Sequence, residues 1–265
     1  MAKSAPNVSL PLFYNQIQPV NLRDHGDKKM REILRMGNIG KAHAIPLTVD
    51  EFALAQNHYP IVFSVGENPV PIALRGLNDG VNAFLTEEGR PREPNIYTPA
   101  YIRRYPFLLA KITADTDELS LCYDPTSDAI GDFDEGKPLF EDGKPTDAVQ
   151  KILAFCEQFE AAGQRTAAFL EDLKQFDLLM DGEVSIQPDG FEHPFIYRGF
   201  RMIDEEKLRA LRGDELRKMA QNGMLPLIYA HLFSLSQMRD VFSRQLAQGT
   251  APAQVPLRAA ADASV

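Results

Sequence analysis

The local structure is predicted most clearly in the stretch Thr98-Pro99-Ala100-Tyr101-Ile102-Arg103-Arg104-Tyr105-Pro106-Phe107. Pro99 suits the first position of a helix, and Thr98 is a suitable N-cap before it. Pro106 disfavours helical backbone at the residue that precedes it. The stretch therefore predicts little more than one helical turn, followed by a strand over residues 107–112.

The sequence on either side of this stretch predicts strands before residue 125 and mostly helices after residue 146. Short apolar runs bounded by turn residues indicate strands at 61–65, 71–74, 81–85 and 119–123. Apolar residues at helical spacing predict helices from 149 to Gly163, over 169–176, after Asp204, and from Pro226 onward, with strand-like runs at 184–186 and 195–197. This segregation predicts an α+β fold, in which a mainly antiparallel sheet in the N-terminal half packs with a mostly helical C-terminal half.

The chain contains no obvious linker, so residues 1–248 are predicted to form a single domain. The remaining residues, 249–265, are rich in alanine and proline and contain few large apolar side chains. Such a composition cannot bury much apolar surface, and we expect this segment to be a disordered tail.

Composition and charge limit the classes of protein to which the chain can belong. The 28 Lys+Arg and 37 Asp+Glu residues give a formal net charge of −9, which argues against non-specific binding of nucleic acid. No apolar run approaches the ~20 residues that cross a bilayer, and the N-terminal residues lack the apolar core of a secretory signal. We therefore expect a soluble, cytoplasmic protein that is not membrane-embedded, with Cys122 and Cys156 as free thiols.

The paired arginines are the candidate binding site. A guanidinium binds carboxylates and phosphates through two parallel hydrogen bonds and stacks on aromatic rings. Neighbouring residues on a helix point about 100° apart, so one arginine is expected to face a pocket while the other pairs with an internal acid such as Asp124. The candidate ligand-binding residues are Tyr101, Arg103, Arg104, Tyr105 and Asp124.

Two interpretations of this site stay open at the level of sequence. In the first, the arginines and tyrosines bind a small anionic or peptide ligand through its carboxylate or phosphate. In the second, the arginines are a structural node that pairs with buried acids and complements the C-terminal end of the short helix.

No residue can be assigned a catalytic role from the sequence. Cys122 has no sequence-adjacent base, and the motifs typical of nucleotide binding and acyl transfer are missing. His58 and His231 are the histidines considered as metal ligands, but the spacing of known zinc and iron motifs is missing, so neither a metal nor another cofactor is expected. The acidic residues between 115 and 147 are interpreted as a solvated loop and not as a calcium site.

Several short motifs follow one another along the chain: Glu51-Phe52-Ala53, Tyr59-Pro60-Ile61-Val62-Phe63, Pro99 to Phe107 of the quoted stretch, Leu121-Cys122-Tyr123-Asp124, Gly136-Lys137-Pro138-Leu139-Phe140, Gly199-Phe200, Leu227-Ile228-Tyr229-Ala230-His231-Leu232 and Ser234-Leu235. In their sequence and order these motifs resemble the SapC family of bacterial proteins. The family is named for a locus associated with a bacterial surface layer. Similar proteins are encoded near TonB-dependent outer-membrane receptors, flavin-dependent halogenase-like proteins and cupin-like hydroxylases.

The resemblance implies a binding or accessory protein linked to bacterial surface nutrient uptake or envelope physiology. Such a protein is expected to have a protein partner in addition to its ligand. The competing hypothesis is a cytoplasmic enzyme, with or without a metal ion, or the partner of an enzyme, that acts in the modification of a peptide or small molecule.

Overall fold

The structure is a computed structural model that describes residues 10–31, 37–112 and 118–251. Most of the predicted tail, residues 252–265, lies outside the described residues, as do Asp115 and Asp117 of the acidic stretch. None of the helices in these ranges combines the length and the apolar composition that crossing a bilayer requires.

The described ranges contain strands and α-helices along their whole length. The strands in chain order are β1 Gln18–Pro19, β2 Lys29–Met30, β3 Ala44–Pro46, β4 Ile61–Phe63, β5 Pro71–Leu74, β6 Phe107–Lys111, β7 Leu119–Tyr123, β8 Ile130–Gly131, β9 Lys137–Pro138, β10 Phe140–Glu141, β11 Lys144–Pro145, β12 Leu179–Ile186 and β13 Phe195–Ile203. The helices are α1 Leu22–His25, α2 Gly37–Gly40, α3 Phe52–Ala55, α4 Ala100–Arg103, α5 Asp147–Gln175, α6 Glu205–Ala210, α7 Gly213–Gln221, α8 Met224–Ser234 and α9 Gln237–Ala247.

The main sheet has five antiparallel strands in the order β12-β13-β4-β5-β3. Side chains alternate between the two faces of a strand, and β4 uses both faces. Ile61 and Phe63 pack in one core cluster with residues of α3, α5 and α8, whereas Val62 packs in another with residues of α9. All three side chains are therefore fully buried, which explains why β4 is apolar at every position.

Helix α5 connects the main sheet to a second layer of small sheets. It has 29 residues and so spans roughly 43 Å at the rise of an α-helix. Its first half packs against the sheets β1-β7-β6 and β8-β2-β9 through Val149 and Cys156, and its second half packs under the main sheet through Phe169 and Leu173. The fold is α+β with antiparallel sheets, as predicted.

Two predicted helix boundaries differ from the structure. Gly163 does not end a helix, because α5 continues through it and buries apolar residues on both sides. The glycine costs about 1 kcal/mol relative to alanine, which burial of these side chains outweighs. Pro226 does not open the last helical segment, which starts at Met224 and divides into α8 and α9 near Leu235.

Residues 81–85 do not form the predicted strand. The side-chain oxygen of Asn82 accepts hydrogen bonds from the backbone N–H groups of Phe84 and Leu85, at 3.0 and 3.1 Å. Asparagine side chains compete in this way with the ladder of a sheet. The segment is therefore a turn-like loop whose apolar side chains still enter the core.

Candidate functional site

The two adjacent arginines point in different directions, as the geometry of the short helix predicts. Arg104, which directly follows helix α4, lies in the interior and is 8% exposed, while Arg103, the last residue of α4, is exposed. Since the two guanidinium groups occupy different environments, each has to be considered by itself.

Arg104 lies within a cluster of aromatic rings. Its Cζ atom is 4.5 Å from the ring centroid of Tyr101, 4.2 Å from that of Phe159 and 6.0 Å from that of Tyr14. Its Nη1 lies 3.6 Å from Oε1 of Glu160, and its Nε is buried without a hydrogen-bond partner. The buried Arg104 guanidinium therefore contacts mainly aromatic rings, and the acid beside it, Glu160, is 42% exposed and is not the buried acid that the structural interpretation expected.

Asp124 is fully buried but does not serve as the internal acid for either arginine. Its carboxylate accepts hydrogen bonds from the backbone N–H of Asn15 at 2.7 Å and from the N–H and hydroxyl of Thr126 at 2.9 and 2.7 Å. The acid beside Arg104 is Glu160, on α5.

Burial, together with the charge of nearby Asp124, raises the pKa of Tyr105 to about 12, so this phenol stays protonated at neutral pH.

Glu51 supplies the cap of helix α4 that the sequence assigned to Thr98. Pro99 has no N–H, so the first free donor of the helix is the backbone N–H of Ala100, which donates to Oε1 of Glu51 at 2.6 Å. The other carboxylate oxygen accepts from the N–H and hydroxyl of Thr48, both at 2.9 Å. One buried carboxylate thus ties the start of α4 to the segment before α3.

Tyr97 connects this carboxylate to Arg103. The Tyr97 hydroxyl donates to Oε1 of Glu51 at 3.0 Å and accepts from Nη2 of Arg103 at 3.3 Å. Burial and the negative charge of Glu51 raise the pKa of Tyr97 to about 12. The Arg103 guanidinium also lies over the ring of Phe155, with Cζ 5.1 Å from the centroid. These contacts orient Arg103 without using a carboxylate.

Arg103 borders a cleft with a volume of about 1180 Å³. One wall comes from α4, the start of β6 and the first turns of α5, and the other from β2 and the loop that leads to β9. The apolar lining includes Met30, Ile102, Phe107 and Ile152.

Tyr105 also lines the cleft, whereas Tyr101 is buried against Arg104 and donates its hydroxyl to the carbonyl of Leu12. Of the predicted site residues, Arg103 and Tyr105 therefore share the cleft.

Arg31 and Asp132, two of the charged side chains that line the cleft, each have a charged partner. Arg31 stacks on Phe133 with its Cζ 3.9 Å from the centroid and approaches Asp128, while Asp132 pairs with Lys28 at 2.7 Å. The lining also includes Asp134, Glu135, Lys137 and Lys151. Within the described part of the chain, Arg103 has no carboxylate partner.

The histidine candidates do not form a metal site among the described residues. His231 is fully buried; its Nδ1–H donates to the carbonyl of Ile61 at 2.7 Å and its Nε2 accepts from the N–H of Ile203 at 3.0 Å. His58 lies half-buried beside Tyr59. In residues 10–31, 37–112 and 118–251, no three His, Cys, Asp or Glu side chains are arranged to hold a metal ion.

Both cysteines are free and buried, as predicted. Burial raises the pKa of Cys122 and raises that of Cys156 to about 11. A thiol acts as a nucleophile through its thiolate. Neither cysteine therefore has the environment of a reactive nucleophile.

Sequence reasoning missed the roles of Glu51 and Tyr97. A signal for Glu51 was available, because Thr48 and Glu51 have the spacing of a capping box, in which the glutamate accepts from the N-cap backbone. Nothing comparable marks Tyr97, since its two partners are 46 residues before it and 6 residues after it in the sequence.

We predict that replacing Arg104 by alanine lowers the free energy of unfolding by about 3 kcal/mol, because the substitution leaves a cavity among three rings and removes their stacking partner. Arg104→Met, which keeps most of the volume and removes an unsatisfied Nε, should cost less. Urea denaturation measures both changes. Arg103→Ala is the control and should change stability little; equal losses at the two positions would contradict the structural role of Arg104.

Comparison with known proteins gives one family. The sequence model of the family described as SapC matches residues 20–241 of the 265-residue chain. No curated protein and no solved structure matches the chain. The matched region contains the cleft, both arginines and Glu51.

Proposed function

The chain belongs to the SapC family, and on that premise we propose that it is a binding or accessory protein whose cleft takes an anionic ligand with an apolar body. The observation that carries the proposal is Arg103, a guanidinium without a carboxylate partner in the described chain, held at the border of a largely apolar cleft. Ligand sites in proteins are typically concave, mostly apolar, and provided with a few polar groups that fix orientation.

The chemistry of the cleft favours a carboxylate as the anionic group. Arginine binds planar carboxylates through two parallel hydrogen bonds, and Tyr97 leaves other donors of the Arg103 guanidinium unused. The apolar lining fits a hydrocarbon or aromatic body. A peptide that ends in an apolar residue has both features, with its C-terminal carboxylate as the anion.

The wider role in the proposal rests on the family. A protein of this kind in the cytoplasm would receive or hand over such a ligand in a process connected with bacterial surface nutrient uptake or envelope physiology, together with a protein partner. The cleft supports only the binding step of that role.

N-Acetyl-L-phenylalanine and its uncharged amide are matched probes for the proposal, since they differ only at the carboxylate. Isothermal titration calorimetry should detect binding of the acid and much weaker binding of the amide. Arg103→Ala and Arg103→Lys should each reduce affinity roughly tenfold to hundredfold, because a lost charge-assisted hydrogen bond costs about 1.5–3 kcal/mol and lysine lacks the bidentate geometry.

Arg198→Lys, at an exposed arginine outside the cleft, is the control and should bind like the natural protein. Equal affinities for the acid and the amide would overturn the proposal, as would an unchanged affinity in Arg103→Ala. Conversion of the probe into a product, detected by mass spectrometry, would instead support the competing enzyme hypothesis.

A further inference from the structure

Arg75 is buried like Arg104, and it is not one of the residues that line the cleft. It directly follows β5 and is 2% exposed. Its backbone is fixed, because its N–H donates to the carbonyl of His43 at 2.6 Å and its carbonyl accepts from the N–H of Ala83 at 2.7 Å. The guanidinium therefore enters the core from a rigid part of the sheet.

The Arg75 guanidinium lacks the partners that a buried cation requires. Its Nε and Nη1 atoms are buried and have no hydrogen-bond partner, and no carboxylate of the described chain pairs with it. The rings of Tyr59 and Phe84 lie 5.3 and 5.6 Å from its Cζ. These rings attract the charge but accept none of its N–H groups, and arginine does not lose its proton in proteins.

A second cation approaches the same rings from the surface. Arg244 of α9 places its Cζ 4.8 Å from the centroid of Phe84, while its side chain is 20% exposed. It pairs with Glu93 at 2.6 Å and with Asp240 at 2.7 Å. Both arginines also act on Tyr59, where their positive charges oppose the increase in pKa that burial causes. The ring of Phe84 thus lies near two cations, and the two acids that pair with Arg244 are about half exposed to solvent.

A buried charge without a partner is strongly destabilising, and an unsatisfied buried donor calls for an ion or another partner. We propose that Arg75 is an internal binding site for a small oxyanion, a carboxylate or inorganic phosphate, which enters beside Arg244 and accepts hydrogen bonds from the Arg75 guanidinium. This site is separate from the cleft at Arg103, and the proposal does not depend on the function proposed for that cleft.

The test uses the full chain and two probes, acetate and inorganic phosphate, at constant ionic strength. Equilibrium dialysis with labelled probes should show one bound anion per chain. The same anion should raise the melting temperature saturably, by about 5–10 °C at roughly 100 times its dissociation constant in a chain of this size. Binding of acetate alone, phosphate alone or both identifies the class of oxyanion.

Arg75→Met removes the cation and keeps much of its volume, so it should abolish both binding and the saturable shift. Arg239→Met removes an exposed arginine from the same helix as Arg244 and should change neither. Glu93→Gln removes the acid that competes for Arg244 and should tighten binding several-fold, whereas Glu206→Gln, at an exposed acid of α6, should not.

Two results would overturn the proposal. One is the failure of dialysis to detect bound acetate or phosphate with the natural protein, which needs no variant to fold. The other is an equal thermal shift in the natural protein, Arg75→Met and Arg239→Met, which would identify a general salt effect.

Discussion

Replacing Glu51 by alanine is expected to lower the free energy of unfolding by about 4 kcal/mol. The carboxylate accepts four hydrogen bonds, from the N–H and hydroxyl of Thr48, the hydroxyl of Tyr97 and the N–H of Ala100. Glu51 and Thr48 are 4% and 5% exposed, so water does not readily replace the lost acceptor. An unsatisfied buried donor costs about 1–3 kcal/mol, and alanine leaves several of them. Urea denaturation followed by circular dichroism measures the change.

Two variants show whether the effect belongs to the buried carboxylate. Asp50→Ala removes the neighbouring acid, whose ion pair with Arg165 is exposed, and should cost less than about 1 kcal/mol. Tyr97→Phe removes one of the four donors together with the hydroxyl that holds Arg103. It should cost about 1 kcal/mol and weaken binding of N-acetyl-L-phenylalanine. If Glu51→Ala were as stable as Asp50→Ala, the capping role of Glu51 would be wrong.

The stability of the protein is expected to fall by about 3 kcal/mol between pH 6.5 and pH 4 because of His231. Burial lowers the pKa of His231 from 6.5 to about 4 in the folded protein, against a small opposing effect of its hydrogen bond to Ile61. The unfolded chain therefore binds the proton more tightly than the folded chain. The stabilisation is fully present above pH 6.5, is lost as the pH falls towards 4, and changes no further below that value.

A comparison of variants isolates this contribution from the carboxylates that titrate in the same range. His231→Gln should be less stable than the natural protein at pH 7.5, because the backbone groups of Ile61 and Ile203 lose their partner. The difference between the two proteins should shrink as the pH falls to 4. His58→Gln serves as the control for the loss of a histidine elsewhere in the chain. A difference that stays constant with pH would refute the assignment to His231.

Local sequence was sufficient for several elements of the fold. The apolar runs at Pro71–Leu74 and Leu119–Tyr123 form strands with the predicted bounds, and the two prolines around Ala100–Arg103 limit α4 to a short helix. Asp204 caps α6 through its carboxylate, as its position before the helix indicates. In each case the deciding interaction is made within a few residues of the chain.

Longer-range features of the fold were not predictable in the same way. The hairpin β12-β13 has the longest strands and joins the main sheet through β4, although it follows the long helix α5 in the sequence. Sequence patterns indicated only short strands there, because the edge and the exposed face of a hairpin accept polar residues such as Asp181 and Glu183.

The sequence by itself determined that Arg103 and Arg104 cannot share an environment, because a helix separates adjacent side chains by about 100° whatever surrounds it. Only the tertiary structure decided which arginine is buried, that Glu160 and not Asp124 lies beside it, and that Glu51 caps α4. These outcomes depend on contacts between segments far apart in the chain, such as Glu51 with Ala100. The physical reason is that a helical period and a proline act on neighbouring residues, whereas the partner of a buried charge is set by the packing of whole elements.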